Sequence, residues 1–153
     1  WLVYGGVDNL RSLCDNLKSF DLNREMQMPT PRWQIEIVSV GHSDSRRTIL
    51  DVVRGGVGGE MINQISAFDR LLAGNYIGRH YHKNMWEVYY VFSGEGIMHL
   101  RDTLTGKTVE APMGPRSRAI IPPQVVHELV ATTDMVLIIA ATGEQGPSDT
   151  FLP

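Results

Sequence analysis

Four residues of this sequence have the types and spacing of a metal-ligand set: His80, His82, Glu87 and His127. Side chains alternate between faces in an extended segment, so His80 and His82 project to the same side. Glu87 follows the loop-like Lys83-Asn84-Met85 and opens a strand whose Tyr89 and Val91 share its face. His127 comes forty-five positions after His82, just beyond Pro122 and Pro123, at the start of an apolar run. Three imidazoles and one carboxylate form a mixed nitrogen–oxygen shell suited to one divalent transition metal: Zn, Fe, Mn, Ni or Co. On a six-coordinate ion, four protein ligands leave positions open for water or substrate. A lone strand histidine is usually a satisfied or surface residue. Here three of the five histidines fall in one pattern, framed by glycines.

A metal held in this way keeps net positive charge and can polarise a carbonyl, stabilising the enolate formed when a neighbouring C–H is removed. Such chemistry needs a base close by, and the candidates are His99, Tyr76, Tyr89 and Glu110. His99 serves if it points inward; Met98 and Leu100 occupy the opposite face, and either face could be the interior. Tyr89 shares the face of Glu87 and is the better pocket candidate, whereas Trp86 and Tyr90 belong to the other face and its packing. Arg79 and Lys83 alternate with the two histidines and should point away, either as a solvated edge or as a rim for an anionic substrate. Trp33 reads as core or arm packing. The seven methionines, Met85 in the ligand loop included, read as flexible core filler. No Ser-His-Asp or Cys-His arrangement and no phosphate-binding glycine loop is visible.

The elements that must position these residues are short strands. Asp8 to Phe20 has the three–four apolar rhythm of an amphipathic helix, with Asp8 as N-cap and Cys14 on the apolar side as a buried structural thiol. Pro29 and Pro31 then break the chain, so residues 1–32 form a helical arm or linker and 33–153 the main domain. Strand patterns follow at Trp33 to Val40, Thr48 to Val53, Met61 to Ala67, Trp86 to Phe92, Ile97 to Arg101, Arg118 to Ile121, His127 to Ala131 and Met135 to Ala141. Glycines punctuate them, and Ser93-Gly94-Glu95-Gly96 reads as a hairpin turn. Many short strands with no second helix predict an all-β sandwich or barrel.

The 153 residues suffice for one domain with a real core, and 42% apolar with 20% charged residues is ordinary for a globular chain. A net charge of -3 and a pI near 5.9 give no footprint for nucleic acid or an acidic membrane. No apolar run is long enough for a membrane helix. Nothing at the start reads as a secretory signal, which sets a cytoplasmic expectation; Trp1 in place of Met points to processing or to a longer parent protein.

The run Gly74, His80-Tyr81-His82, Glu87, Gly94 matches the first motif of the cupin superfamily in full, and Gly114, Pro122 and His127 resemble the second. Gln124 stands where the family usually has Gly, and Ala131 where it often has Asn. The resemblance covers about residues 61–142 and implies a jelly-roll barrel with the metal inside its wider mouth. Gly78-Arg79-His80-Tyr81-His82-Lys83 is similar to a stretch of sugar-nucleotide-modifying cupins. Pro147-Ser148-Asp149-Thr150-Phe151 resembles the closing Pro-Asp-Thr-aromatic stretch of a capsular-polysaccharide branch, and Asp44-Ser45-Arg46-Arg47 resembles its Asp-x-Arg-Gly apart from Arg47. These likenesses imply a metal-dependent isomerase or epimerase, or a related lyase, acting on a small carbonyl compound such as a keto-sugar nucleotide. An Fe(II) dioxygenase and a non-catalytic binding module are the alternatives. Exposed sheet edges and the N-terminal arm predict a homodimer. Light scattering at micromolar concentration should give twice the chain mass, and a one-chain mass contradicts the dimer.

Overall fold

The computed structural model describes residues 32–153. The expected arm, with its helix-patterned segment and Cys14, lies outside the described residues. Eleven strands follow in chain order among these: β1 (Gln34–Ile37), β2 (Val40–Ser43), β3 (Thr48–Leu50), β4 (Gln64–Leu71), β5 (Tyr76–His80), β6 (Glu87–Ser93), β7 (Gly96–Asp102), β8 (Thr108–Met113), β9 (Ser117–Ile121), β10 (Val125–Ala131) and β11 (Met135–Ala141). They build a five-stranded sheet in the order β1-β9-β6-β11-β4 and a four-stranded sheet in the order β5-β10-β7-β8; β2 and β3 pair separately. All pairings are antiparallel. From β4 to β11 this is the strand order of an eight-stranded jelly roll, extended by β1 at the β9 edge.

Period-two patterning decides which face β7, β9 and β10 bury. In β10, Val125, His127, Leu129 and Ala131 are buried and alternate with half-buried Val126, Glu128 and Val130. In β7, Met98 and Leu100 point into the barrel while Ile97 and His99 lie on its outside. The inner faces meet in one core that includes Trp33, Val91, Leu100, Leu129 and Leu137, so Trp33 is core packing. Met98, Met113 and Met135 fill this core as expected, but Met61 is exposed.

Several expected elements are corrected. Ser93–Gly96 is not a hairpin turn: β6 pairs with β9 and β11, and β7 with β8 and β10, so the segment carries the chain from one sheet to the other. Gly94 is needed at that crossing, because it takes a positive φ of 81° and an added Cβ would lie 2.1 Å from the Asp134 carbonyl oxygen. Trp33 to Val40 is broken between β1 and β2. Two strands, β5 and β8, had no counterpart in the strand pattern. β8 is a sheet-edge strand containing Pro112, which edge positions tolerate because no neighbour requires its missing N–H.

A hairpin joins β7 and β8 instead, and Asp102 organises it. Its Oδ1 accepts from the Leu104 and Thr105 amides at 2.8 and 3.2 Å, and its Oδ2 accepts from Arg32 Nε at 2.9 Å. The Arg32 guanidinium holds the Asp102 carboxyl below the usual carboxylate range, outweighing burial, with help from the two turn amides. A depressed pKa means that this contribution is present above the unfolded value of about 4 and is lost as pH falls through the folded one. Replacing Asp102 by Ala should cost about 1–3 kcal/mol in urea unfolding at pH 7. The gap between parent and variant should shrink as pH is lowered below about 4; a gap independent of pH would show that the charge is not what stabilises the turn.

Candidate metal centre

The two sheets bring His80, His82, Glu87 and His127 to one point inside the barrel. One potential ligand atom from each lies within 4.8 Å of all the others. His80 ends β5, His127 sits on neighbouring β10, Glu87 opens β6 in the opposite sheet, and His82 lies in the connection between β5 and β6. Glu87, His127 and His82 are only 2%, 1% and 3% exposed, and His80 is half-buried.

His80 reaches the cluster through a bulge rather than by plain alternation. Its partner across the ladder is His127, whereas Gly78 faces Glu128, which leaves Arg79 as the extra residue. Gly78 and Arg79 both take positive φ, 92° and 64°. At Gly78 only glycine fits, since an added Cβ would stand 2.5 Å from the His127 carbonyl oxygen. The bulge sends Arg79 to the outside, where it ion-pairs with Glu128 and its guanidinium lies 3.8 Å from the centre of the Tyr76 ring. Lys83 also points away and sits 3.9 Å over the Phe151 ring.

The outer nitrogens of the three histidines are all committed to backbone. Nδ1 of His80 faces the Gly78 carbonyl at 3.1 Å, that of His82 the Asp149 carbonyl at 2.6 Å, and that of His127 the Val125 carbonyl at 3.1 Å. A carbonyl can only accept, so each Nδ1 carries the proton and each Nε2 presents a lone pair when the ring is neutral. The Nε2 atoms of His80 and His82 are 3.2 Å apart, and Glu87 Oε2 lies 2.8 Å from His127 Nε2 and 3.5 Å from His82 Nε2. The 2.8 Å approach is not aligned as a hydrogen bond, and both Glu87 Oε2 and His127 Nε2 are buried without a hydrogen-bond partner. These atoms point at a common centre rather than at each other. Adjacent ligands on an ion with bonds of about 2.1 Å are spaced about 3.0–3.4 Å apart, so the residues present fit a divalent transition metal.

Charge supports the same fit. Burial works against ionisation of Glu87, yet the adjacent His127 and His82 outweigh it and hold the carboxyl well below the usual range. Burial likewise opposes charge on His82, but Glu87 and the Asp149 carbonyl raise it overall. His80 is lowered, first by burial and then by its two imidazole neighbours. A buried carboxylate beside neutral imidazoles leaves one negative charge that a cation neutralises.

The cluster opens into a cavity of about 230 Å³ walled by Phe68, Ile77, Ile139 and Tyr89, with Gln145 and Thr150 from the C-terminal segment. Tyr89 is 1% exposed with its ring 5.8 Å from that of His127, and burial pushes its phenol well above the ordinary tyrosine value. Of the proposed bases, the structure therefore brings only Tyr89 to the cavity. His99 faces outward and pairs with Glu110 at 3.2 Å, and Tyr76 is exposed on the same outer face. His99 and Glu110 help line a separate cavity of about 550 Å³ outside the four-stranded sheet. Tyr90 lies outside the inner core cluster and packs edge-on to Phe92, as strand alternation implies. Sequence reasoning missed Gln145, whose Nε2 donates to Glu87 Oε1 at 2.8 Å, and the role of Asp149.

A family described as the polysaccharide biosynthesis C-terminal domain matches residues 42–145. The chain belongs to this family. No curated protein matches it by sequence. Among solved structures, this polysaccharide-biosynthesis domain is similar to a TDP-quinovose 3,4-ketoisomerase from Campylobacter jejuni, at TM-score 0.69 and 14% identity over 80% of this chain and 93% of that one. A 3,4-ketoisomerase from Helicobacter canadensis gives 0.68 and 14% over 80% and 91%. A dTDP-6-deoxy-D-glucose-3,5-epimerase from Legionella pneumophila gives 0.66 and 16% over 78% and 71%. These likenesses establish the cupin-type jelly roll.

The bulge yields a test of its own. Gly78→Ala forces a Cβ onto the His127 carbonyl at a positive φ, which should cost about 1–3 kcal/mol or more in urea unfolding of metal-free protein. Unchanged stability would mean that the bulge is soft and does not fix the relation of His80 to His127.

Proposed function

We propose that this domain is a metal-dependent isomerase or epimerase acting on a keto-sugar nucleotide, with His80, His82, Glu87 and His127 holding the metal. The observation that carries the reading is the convergence of three backbone-locked imidazoles and a buried carboxylate, with Glu87 Oε2 and His127 Nε2 left without a hydrogen-bond partner. The folds that this chain resembles belong to proteins described as sugar ketoisomerases and epimerases of TDP-linked substrates, which supports the substrate class.

When bound, the metal would act as a Lewis acid toward the sugar carbonyl. The protein's own groups orient the ligands, exclude water and meet the developing charge. Gln145 and the three backbone carbonyls fix the ligand orientations, and the apolar walls from Phe68, Ile77 and Ile139 exclude water. Tyr89, protonated at neutral pH, is suited to donate a hydrogen bond to the oxygen on which negative charge develops. At about 230 Å³ the cavity is smaller than a typical drug-sized pocket of about 300–1,000 Å³, so it suits a sugar ring with the nucleotide lying outside the mouth. An Fe(II) dioxygenase remains the second reading, because the same donor set suits iron.

Elemental analysis of metal-loaded protein should show one divalent transition metal per chain, abolished in His82→Ala. Incubation with a TDP-linked 4-keto-6-deoxy sugar in D₂O should then place deuterium on the carbon next to the carbonyl, without oxygen consumption. Tyr89→Phe should lower kcat by roughly 10- to 100-fold while leaving metal content unchanged. Turnover that needs oxygen would replace this reading by the dioxygenase, and absence of bound metal would remove both.

A further inference from the structure

The C-terminal segment reaches two of the four cluster residues, although it is 58 to 67 positions away from them in sequence. Asp149 is the centre of this contact. Its carboxylate accepts from the backbone amides of Lys83, Asn84 and Met85 at 3.0, 3.2 and 3.1 Å, and from Asn84 Nδ2 at 3.3 Å. Those three amides belong to the connection between His82 and Glu87. The carbonyl of the same residue takes the His82 Nδ1 proton at 2.6 Å. On one side Tyr81 and Phe151 exchange a pair of backbone hydrogen bonds, and on the other Gln145 is bonded to Glu87 Oε1 and to the Gln64 side chain.

A loop held only by its ends would let His82 and Glu87 wander. Here one carboxylate gathers three successive amides, and the same residue orients the imidazole that precedes them. We infer that Asp149 is a positioning residue for the metal centre, and that the segment from Gln145 to Phe151 is a latch whose closure and metal binding favour one another. The inference rests on the proposed metal site and assigns work to residues outside the ligand set. Because coupling between two such equilibria is reciprocal, whatever affinity the metal loses when the latch is loosened, the latch gains in order when the metal binds.

The experiment uses the full chain with Zn²⁺ as probe. Metal affinity is measured by chelator competition, and hydrogen exchange is followed at the amides of residues 83–85 and 145–151. Asp149→Asn and Asp149→Ala should weaken Zn²⁺ binding by roughly 10- to 100-fold, the range seen when a partner of a ligating side chain is removed, with Ala the larger. Both should speed exchange at residues 83–85, and Zn²⁺ should slow exchange of 145–151 in the parent. Gln145→Leu, which keeps the backbone contact to Gln64, should weaken binding without disturbing residues 83–85. Asp134→Ala removes the acceptor of the hydrogen bond that the Ala73 amide donates to Asp134 Oδ1 and serves as the control; it should leave affinity unchanged. Affinity within twofold of the parent in Asp149→Ala overturns the positioning role, as does a loss that Asp134→Ala reproduces. If the parent binds no Zn²⁺ the proposed function fails, and exchange at residues 83–85 still decides the latch: unchanged protection in Asp149→Ala overturns it.

Discussion

Everything distinctive in this structure depends on burying one carboxylate and three imidazole lone pairs around a single point. Polar groups taken out of water cost several kcal/mol each unless they find partners. The protein satisfies the outer atoms of all four side chains with its own groups: three carbonyls for the Nδ1 protons and the Gln145 amide for Glu87 Oε1. The inner atoms of Glu87 and His127 have no such partner. On the proposed reading, a cluster satisfied on its outer side and short of partners on its inner one suits an occupant that supplies positive charge. The jelly roll suits this because the site draws on both sheets, Glu87 from one and His80 and His127 from the other, and their facing distance is fixed by core packing.

The cluster was legible in sequence because its spacing follows from strand geometry. His80 and His82 share a side, and a carboxylate opens the next strand; the first cupin motif encodes that local arrangement. The means by which His80 is aimed were not legible. Alternation puts His80 and His82 on one side of an extended segment but has no place for the bulge at Arg79, which shifts the ladder by one residue. The signal was Gly78 directly before Arg79, a residue demanded by the approach of the His127 backbone and visible only once β10 is in place.

His99 and His127 show how a single face decides a histidine's fate. They lie on paired strands, with His99 opposite Glu128 and His127 opposite Leu100. Residues directly opposite in an antiparallel pair share a face, so His127 joins Leu100 inside and His99 joins Glu128 outside. The sequence carried this answer in Arg101, which shares the face of His99, while Met98 and Leu100 are uniformly apolar on the other. The sheet-to-sheet crossing at Ser93–Gly96 was harder, because a glycine-rich break between two alternating runs looks the same whether the second strand pairs with the first or leaves for the opposite sheet.

Depth and size together constrain how such a centre can work. On the proposed reading, a cavity of about 230 Å³ beside an almost fully buried cluster admits little of a sugar nucleotide to the reacting atoms. Chemistry at the ring must then draw on binding energy from the part of the substrate that stays outside, the usual way in which remote contacts lower a barrier. Gln145 and Thr150 of the cavity lining come from the C-terminal segment, which also holds His82 and Glu87. On that reading, a substrate that presses on Thr150 or Gln145 also presses on the segment that holds His82 and Glu87. On the proposed reading, one short segment joins access, metal retention and the orientation of the reacting carbonyl, and its sequence is constrained by all three.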